Sequence, residues 1–88
     1  MSSVTVRYFA GARAAAGRDS EVLARPPATA VWTVDDALRE LSRRHGPGLA
    51  KVLAASSFLL DEVAVRSLEA PLPPEGATLD VLPPFAGG

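Results

Sequence analysis

A chain of 88 residues makes one small domain with a marginal core and leaves no room for a second. With no cysteine there is no disulfide framework, thiol nucleophile or thiolate metal site, which fits a reducing compartment. The net charge of −1 offers no basic footprint for nucleic acid or an anionic membrane. Met1-Ser2-Ser3-Val4 is no signal start, and no apolar run nears the roughly 20 residues that span a bilayer, so the expected setting is the cytoplasm.

Val4, Val6 and Tyr8 alternate with Thr5, Arg7 and Phe9, the period of a half-buried first strand. Phe9 then shares the polar face with Thr5 and Arg7. Residues 11–17 are alanine-rich around Arg13 and predict one short helical turn closed by Gly17. Residues 20–24 read as a second strand antiparallel to the first, and Pro26 and Pro27 place residues 25–31 in a loop.

The strongest helix signal starts at Thr33, three residues before Asp36, a capping box with Asp in place of the usual Glu. Trp32 precedes it as one half of a staple over Ala37. Val34, Ala37, Leu38 and Leu41 form an apolar stripe, Arg39, Glu40, Arg43 and Arg44 fall largely off it, and Gly46-Pro47-Gly48 ends the helix. Residues 49–54 predict another short turn with Leu49, Val52 and Leu53 inward. Phe58-Leu59-Leu60 and Val63-Ala64-Val65 predict a hairpin around Asp61-Glu62, a poorer turn pair than Asn-Gly. Pro71, Pro73 and Pro74 stiffen a loop, Glu75-Gly76 turns, and residues 78–82 form a last strand placed beside the first. Pattern alone gives α+β; a last strand parallel to the first requires the helix to cover one face of a mixed sheet.

No catalytic constellation emerges. His45, the one histidine, has no partner at metal or general-base spacing and reads as a helix-end or surface residue. Asp35, Asp36, Glu40, Asp61, Glu62, Glu69, Glu75 and Asp80 fall mostly on caps, turns and exposed faces. Ser56-Ser57 lacks a nucleophile elbow, and Arg39, Arg43, Arg44 and Lys51 read as a solvated face balanced by acids. Phe9 and Leu82 are more informative. If the first and last strands are parallel neighbours, both sit near their C-terminal ends on the polar face. Unless segment 12–16 covers it, this exposed pair is a candidate partner surface, extended by Val63 and Ala64.

The pair stands at the root of the last six residues, Pro83-Pro84-Phe85-Ala86-Gly87-Gly88. Two residues without N–H stop the strand ladder, six extended residues reach roughly 20 Å at most, and Gly-Gly has no Cβ to block a narrow channel. This tail, with Val6-Arg7-Tyr8-Phe9-Ala10, Arg13 and Gly17, Thr33-Val34-Asp35-Asp36-Ala37-Leu38, and Leu72, Gly76 and Val81-Leu82-Pro83-Pro84, resembles the MoaD/ThiS family of ubiquitin-like sulfur carriers over nearly the whole chain. The likeness is greatest to its MoaD type, the molybdopterin synthase small subunits. It implies a ubiquitin-like β-grasp over residues 1–82, a mixed sheet covered by one main helix, and a carrier tail over residues 83–88.

The resemblance also implies a chemistry. The chain would be no enzyme but the sulfur-donating subunit of a synthase complex, its partners supplying the catalytic residues. A MoeB-like, ubiquitin-activating-like adenylyltransferase would spend ATP, with Mg²⁺, to convert the Gly88 carboxylate into an acyl-adenylate. Sulfur from a donor protein then replaces the nucleotide, and the thiocarboxylate serves molybdopterin formation in a MoaE-like large subunit. Gly88 is the activated group and Gly87 the spacer. Pro83 and Pro84 stiffen the exit, Phe85 and Ala86 contact the channel, and Phe9, Leu82, Val63 and Ala64 dock partners. The chain itself would bind no cofactor or metal. Departures from the family lie at Gly76-Ala77, commonly Gly-Asp, and Leu60-Asp61-Glu62, in place of a Val-Asn pair. Alternatives are a carrier for thiamine or cysteine synthesis, a ubiquitin-like modifier of lysines, and a plain interaction domain.

Overall fold

The computed structural model describes residues 3–24 and 31–84. Five strands and three helices follow in the order β1 (Ser3–Tyr8), α1 (Ala10–Ala16), β2 (Ser20–Ala24), α2 (Val34–His45), α3 (Pro47–Ala55), β3 (Ser57–Leu60), β4 (Val63–Ala64) and β5 (Ala77–Leu82). The sheet order is β2-β1-β5-β3-β4. β1 runs parallel to β5 and antiparallel to β2, while β3 is antiparallel to both β5 and β4. The expected neighbourhood of first and last strands is therefore present, and the architecture is the α+β, ubiquitin-like β-grasp.

Register explains the core. Val6 faces Glu21 on one side and Leu79 on the other, Tyr8 faces Val81, and Val81 faces Phe58. Directly paired residues share a sheet face, so β1, β5 and β3 present Val4, Val6, Tyr8, Leu79, Val81 and Phe58, all buried, to the helices. The whole predicted stripe of α2, Val34, Ala37, Leu38 and Leu41, is buried against them. Each fully buried side chain of this size contributes about 1.5–3 kcal/mol by leaving water.

Helix ends follow local rules. Thr33 Oγ1 accepts from Asp36 N at 3.1 Å and Asp36 Oδ2 accepts from Thr33 N at 2.9 Å, the reciprocal capping box. Trp32 is buried in the same core as Ala37. Gly17 closes α1 with φ 76°, a left-handed cap that a side chain disfavours. The Gly46-Pro47 step stops α2 but does not open a loop. Gly46, at φ 88°, is the C-cap of α2 and the N-cap of α3, and Pro47 takes the first turn of α3, where its missing N–H costs nothing. The turn expected over residues 49–54 is thus a nine-residue helix with Leu49 and Leu53 buried.

The segment after the hairpin is tied across the start of α2. Val34 N donates to Ala70 O and Asp35 N to Leu68 O, so two free donors of the helix start meet backbone carbonyls, and Leu72 N donates back to Trp32 O. Asp61 and Glu62 turn the β3–β4 hairpin with φ 48° and 70°, positive at both central positions as a type I′ turn requires.

Candidate functional site

The sheet face away from the helices carries the candidate site. By register it displays Thr5 and Arg7 of β1, Thr78, Asp80 and Leu82 of β5, Ser57 and Leu59 of β3, and Ala64 of β4. Phe9 keeps an extended backbone, φ −125° and ψ 150°, before α1 begins, so the alternation of β1 runs one residue further. Because Tyr8 pairs with Val81, Phe9 comes beside Leu82. Phe9 is 41% exposed; α1 turns its own Ala12 into the core and leaves the ring open to solvent. Leu82 is half-buried, as is the Pro83 that follows it, and Pro84 is exposed. The two apolar side chains therefore sit where the ladder ends.

Of the other predicted docking residues, Ala64 pairs with Leu59 and shares this face, whereas Val63 pairs with Leu60 and shares the opposite face with Phe58. Leu59 joins Phe9 and Leu82 instead, a residue that only the pairing of β3 with β5 identifies. Phe85, Ala86, Gly87 and Gly88 lie outside the described residues.

At the middle of the face lies an ion pair absent from the sequence-based expectations. Arg7 Nε donates to Asp80 Oδ1 at 2.6 Å and Arg7 Nη2 to Asp80 Oδ2 at 2.8 Å, a two-pronged fork. Asp80, expected on an exposed face, has a side chain only 6% exposed, while that of Arg7 is 47% exposed. Adjacent strands cover the short carboxylate and leave the longer guanidinium over them. The hydrogen bond to Asp80, then its charge, hold Arg7 still more firmly protonated than an ordinary arginine. Its guanidinium carbon also lies 5.9 Å from the Phe9 ring centre, a cation–π contact.

A second polar cluster lies on the core side. Glu21 faces inward beside Val6, and its Oε2 accepts from the Tyr8 hydroxyl at 2.5 Å and lies 2.5 Å from His45 Nε2, with Arg44 Nη1 3.4 Å from Oε1. Burial raises the Glu21 pKa, but hydrogen bonds from Tyr8 and His45 outweigh it and leave the carboxyl below its ordinary range. Burial, then hydrogen bonding to Glu21, push the Tyr8 hydroxyl strongly upward. An ionised carboxylate only accepts, so Nε2 of His45 carries the proton. The cluster joins β1, β2 and the last turn of α2, and His45 is a helix-end residue held inward, not a surface one.

The basic face of α2 is internally balanced. Arg39 meets Asp35 at 3.0 Å, and Glu40 takes both Arg43 and Arg44 at 2.6 and 2.9 Å. Hydrogen bonds from Arg43 and then Arg44 bring Glu40 down to about 2. Among the described residues no group of three or more His, Cys, Asp or Glu side chains is placed to hold a metal ion, and no helix is long and apolar enough to cross a membrane.

No protein-family model and no curated protein matches the chain. Solved structures do. SAMP1 from Haloferax volcanii superposes with a TM-score of 0.80 at 26% identity, covering 98% of this chain and 99% of that one. The small archaeal modifier protein 1 of Methanosarcina acetivorans gives 0.77 at 26% identity over 100% of this chain and 98% of its own. A chain of the complex of subunits 1 and 2 of the molybdopterin-converting factor from Helicobacter pylori gives 0.66 at 22% identity over 98% and 99%, a likeness of fold.

Proposed function

On the likeness of its fold to solved ubiquitin-like proteins, we propose that the chain is a MoaD/ThiS-like sulfur carrier, the small subunit of a molybdopterin synthase, and not itself an enzyme. One observation carries the reading: the parallel pairing of β1 with β5 sets the exposed Phe9 beside Leu82, at the point where Pro83 and Pro84 end the ladder. A partner that covers this apolar pair receives the tail in one direction.

A carboxylate is a poor electrophile, and the Gly88 oxygen must first become a leaving group. A MoeB-like activating enzyme, using ATP and Mg²⁺, forms the acyl-adenylate and releases pyrophosphate. Sulfide (HS⁻) provided by a donor protein then attacks the acyl carbon, the C–O bond to AMP breaks with AMP leaving, and a C-terminal thiocarboxylate remains. This sulfur is nucleophilic at neutral pH and passes to a pyranopterin precursor within a MoaE-like large subunit. Gly87 gives the tail a spacer without Cβ, Pro83 and Pro84 stiffen its exit, and Phe85 and Ala86 contact the receiving channel. The Helicobacter complex of subunits 1 and 2 supports a partner of this kind.

A second reading, a ubiquitin-like modifier joined to lysines, is favoured by the two archaeal modifier proteins. Intact mass separates the two after incubation with ATP, a sulfur donor and the activating enzyme of the same host. Replacement of one oxygen by sulfur at Gly88 supports the carrier, and larger adducts on lysines the modifier. Gly88→Val, or an added C-terminal residue, is expected to leave the fold intact and abolish transfer. Retained transfer in the extended protein overturns both readings.

A further inference from the structure

We propose that Arg7 sets the specificity of the docking face by donating to a neutral carbonyl oxygen that the partner presents inside an otherwise apolar surface. The inference rests on the carrier reading and adds to it the chemistry that the partner must bring.

Phe9, Leu82, Leu59 and Ala64 would suit a wholly apolar partner, yet Arg7 lies among them. A guanidinium has five N–H donors, and among the described residues Arg7 spends one on each oxygen of Asp80. The rest of its donor edge faces water, since the side chain is 47% exposed. A partner seated on Phe9 and Leu82 strips that water. Donors left unmet in a closed interface weaken binding more than a missing contact does, so the partner must supply an acceptor at this point.

The surrounding charges decide which acceptor. Asp80 already matches Arg7, Asp61 and Glu62 line a groove with Arg7 and Thr78 on one side, and Arg13 is paired with Asp19 at 3.5 Å near the Phe9 end. A partner carboxylate would face Asp61, Glu62 and Asp80 with only Arg7 to offset them. A carbonyl oxygen accepts from the free edge without that repulsion. The Arg7–Phe9 contact holds the guanidinium plane against the apolar surface the partner covers.

The test compares the wild-type protein, the double variant R7M/D80L and Arg7→Gln. The double variant exchanges the ion pair for apolar groups and strands no charge; Arg7→Gln keeps one N–H for Asp80 and discards the outer donor edge. Thermal melting and calorimetric titration with the large subunit of the same host are read together. Both variants are expected to stay folded and bind on the order of ten- to a hundredfold more weakly, the ratio to wild type unchanged between low and high salt. Binding by either folded variant within about threefold of wild type, below one charge-assisted hydrogen bond, overturns the proposal. A ratio that shrinks steeply with salt overturns the neutral acceptor, because it reports a partner carboxylate. If the wild-type protein binds neither the large subunit nor the activating enzyme, the carrier reading itself falls.

Discussion

Tyr8 and His45 converge on one carboxylate oxygen, each 2.5 Å from Oε2 of Glu21, with their rings 6.4 Å apart and nearly perpendicular at 86°. One acceptor thereby joins the first strand, the second strand and the end of the main helix.

The pH dependence of stability follows from that junction. The folded Glu21 pKa lies below its ordinary 4.5, so the ionised group contributes stability that is complete above about pH 4.5 and is lost as pH falls through the lower folded value. Glu21→Gln keeps the shape and removes the charge. At pH 7 it is expected to cost about 1–3 kcal/mol, roughly 4–8 °C in Tm for each kcal/mol. The gap between variant and wild type should close as the wild-type carboxyl protonates. Melting curves from pH 3 to pH 8 measure it, and a gap that stays constant refutes the assignment.

The capping box offers a second test. Thr33→Ala removes the acceptor for Asp36 N and is expected to cost about 0.5–2 kcal/mol. Thr33→Ser, which keeps the oxygen, should restore nearly all of it in a denaturant titration.

Glu62 turns the β3–β4 hairpin at φ 70°, a conformation that costs an ordinary L-residue roughly 1–2 kcal/mol. Glu62→Gly relieves this strain and loses part of the gain to the greater freedom of the unfolded chain. A net rise of a few degrees in Tm is expected. A fall would mean that the Glu62 side chain itself stabilises the turn.

Phe9 separates stability from recognition. The residue is 41% exposed, so Phe9→Ala should change stability by less than about 1 kcal/mol. Under the proposed function it should weaken partner binding by about 2 kcal/mol or more, as removal of an interface aromatic anchor does. Circular dichroism melts and titration with the large subunit distinguish the two effects.

Short-range chemistry was legible without a structure. The alternation of Val4, Val6 and Tyr8, the Thr33–Asp36 box, the stripe from Val34 to Leu41 and the glycine at Gly17 depend on neighbours a few positions apart, and each appears where the pattern puts it. The parallel placement of the last strand beside the first was legible through resemblance as much as through pattern, and with it the adjacency of Phe9 and Leu82.

What tertiary structure alone decided are the polar pairings. Arg7 and Asp80 stand 73 positions apart, and Glu21 and His45 stand 24 apart. In sequence Asp80 is one more acid on an alternating strand, and Glu21 one more polar residue beside Val22. Only the register of β1 against β5 buries the first beneath a guanidinium, and only the docking of the α2 C-terminus over β1 and β2 gives the second its donors. A carboxylate becomes buried or exposed according to what crosses it, and composition, periodicity and spacing carry no record of the crossing.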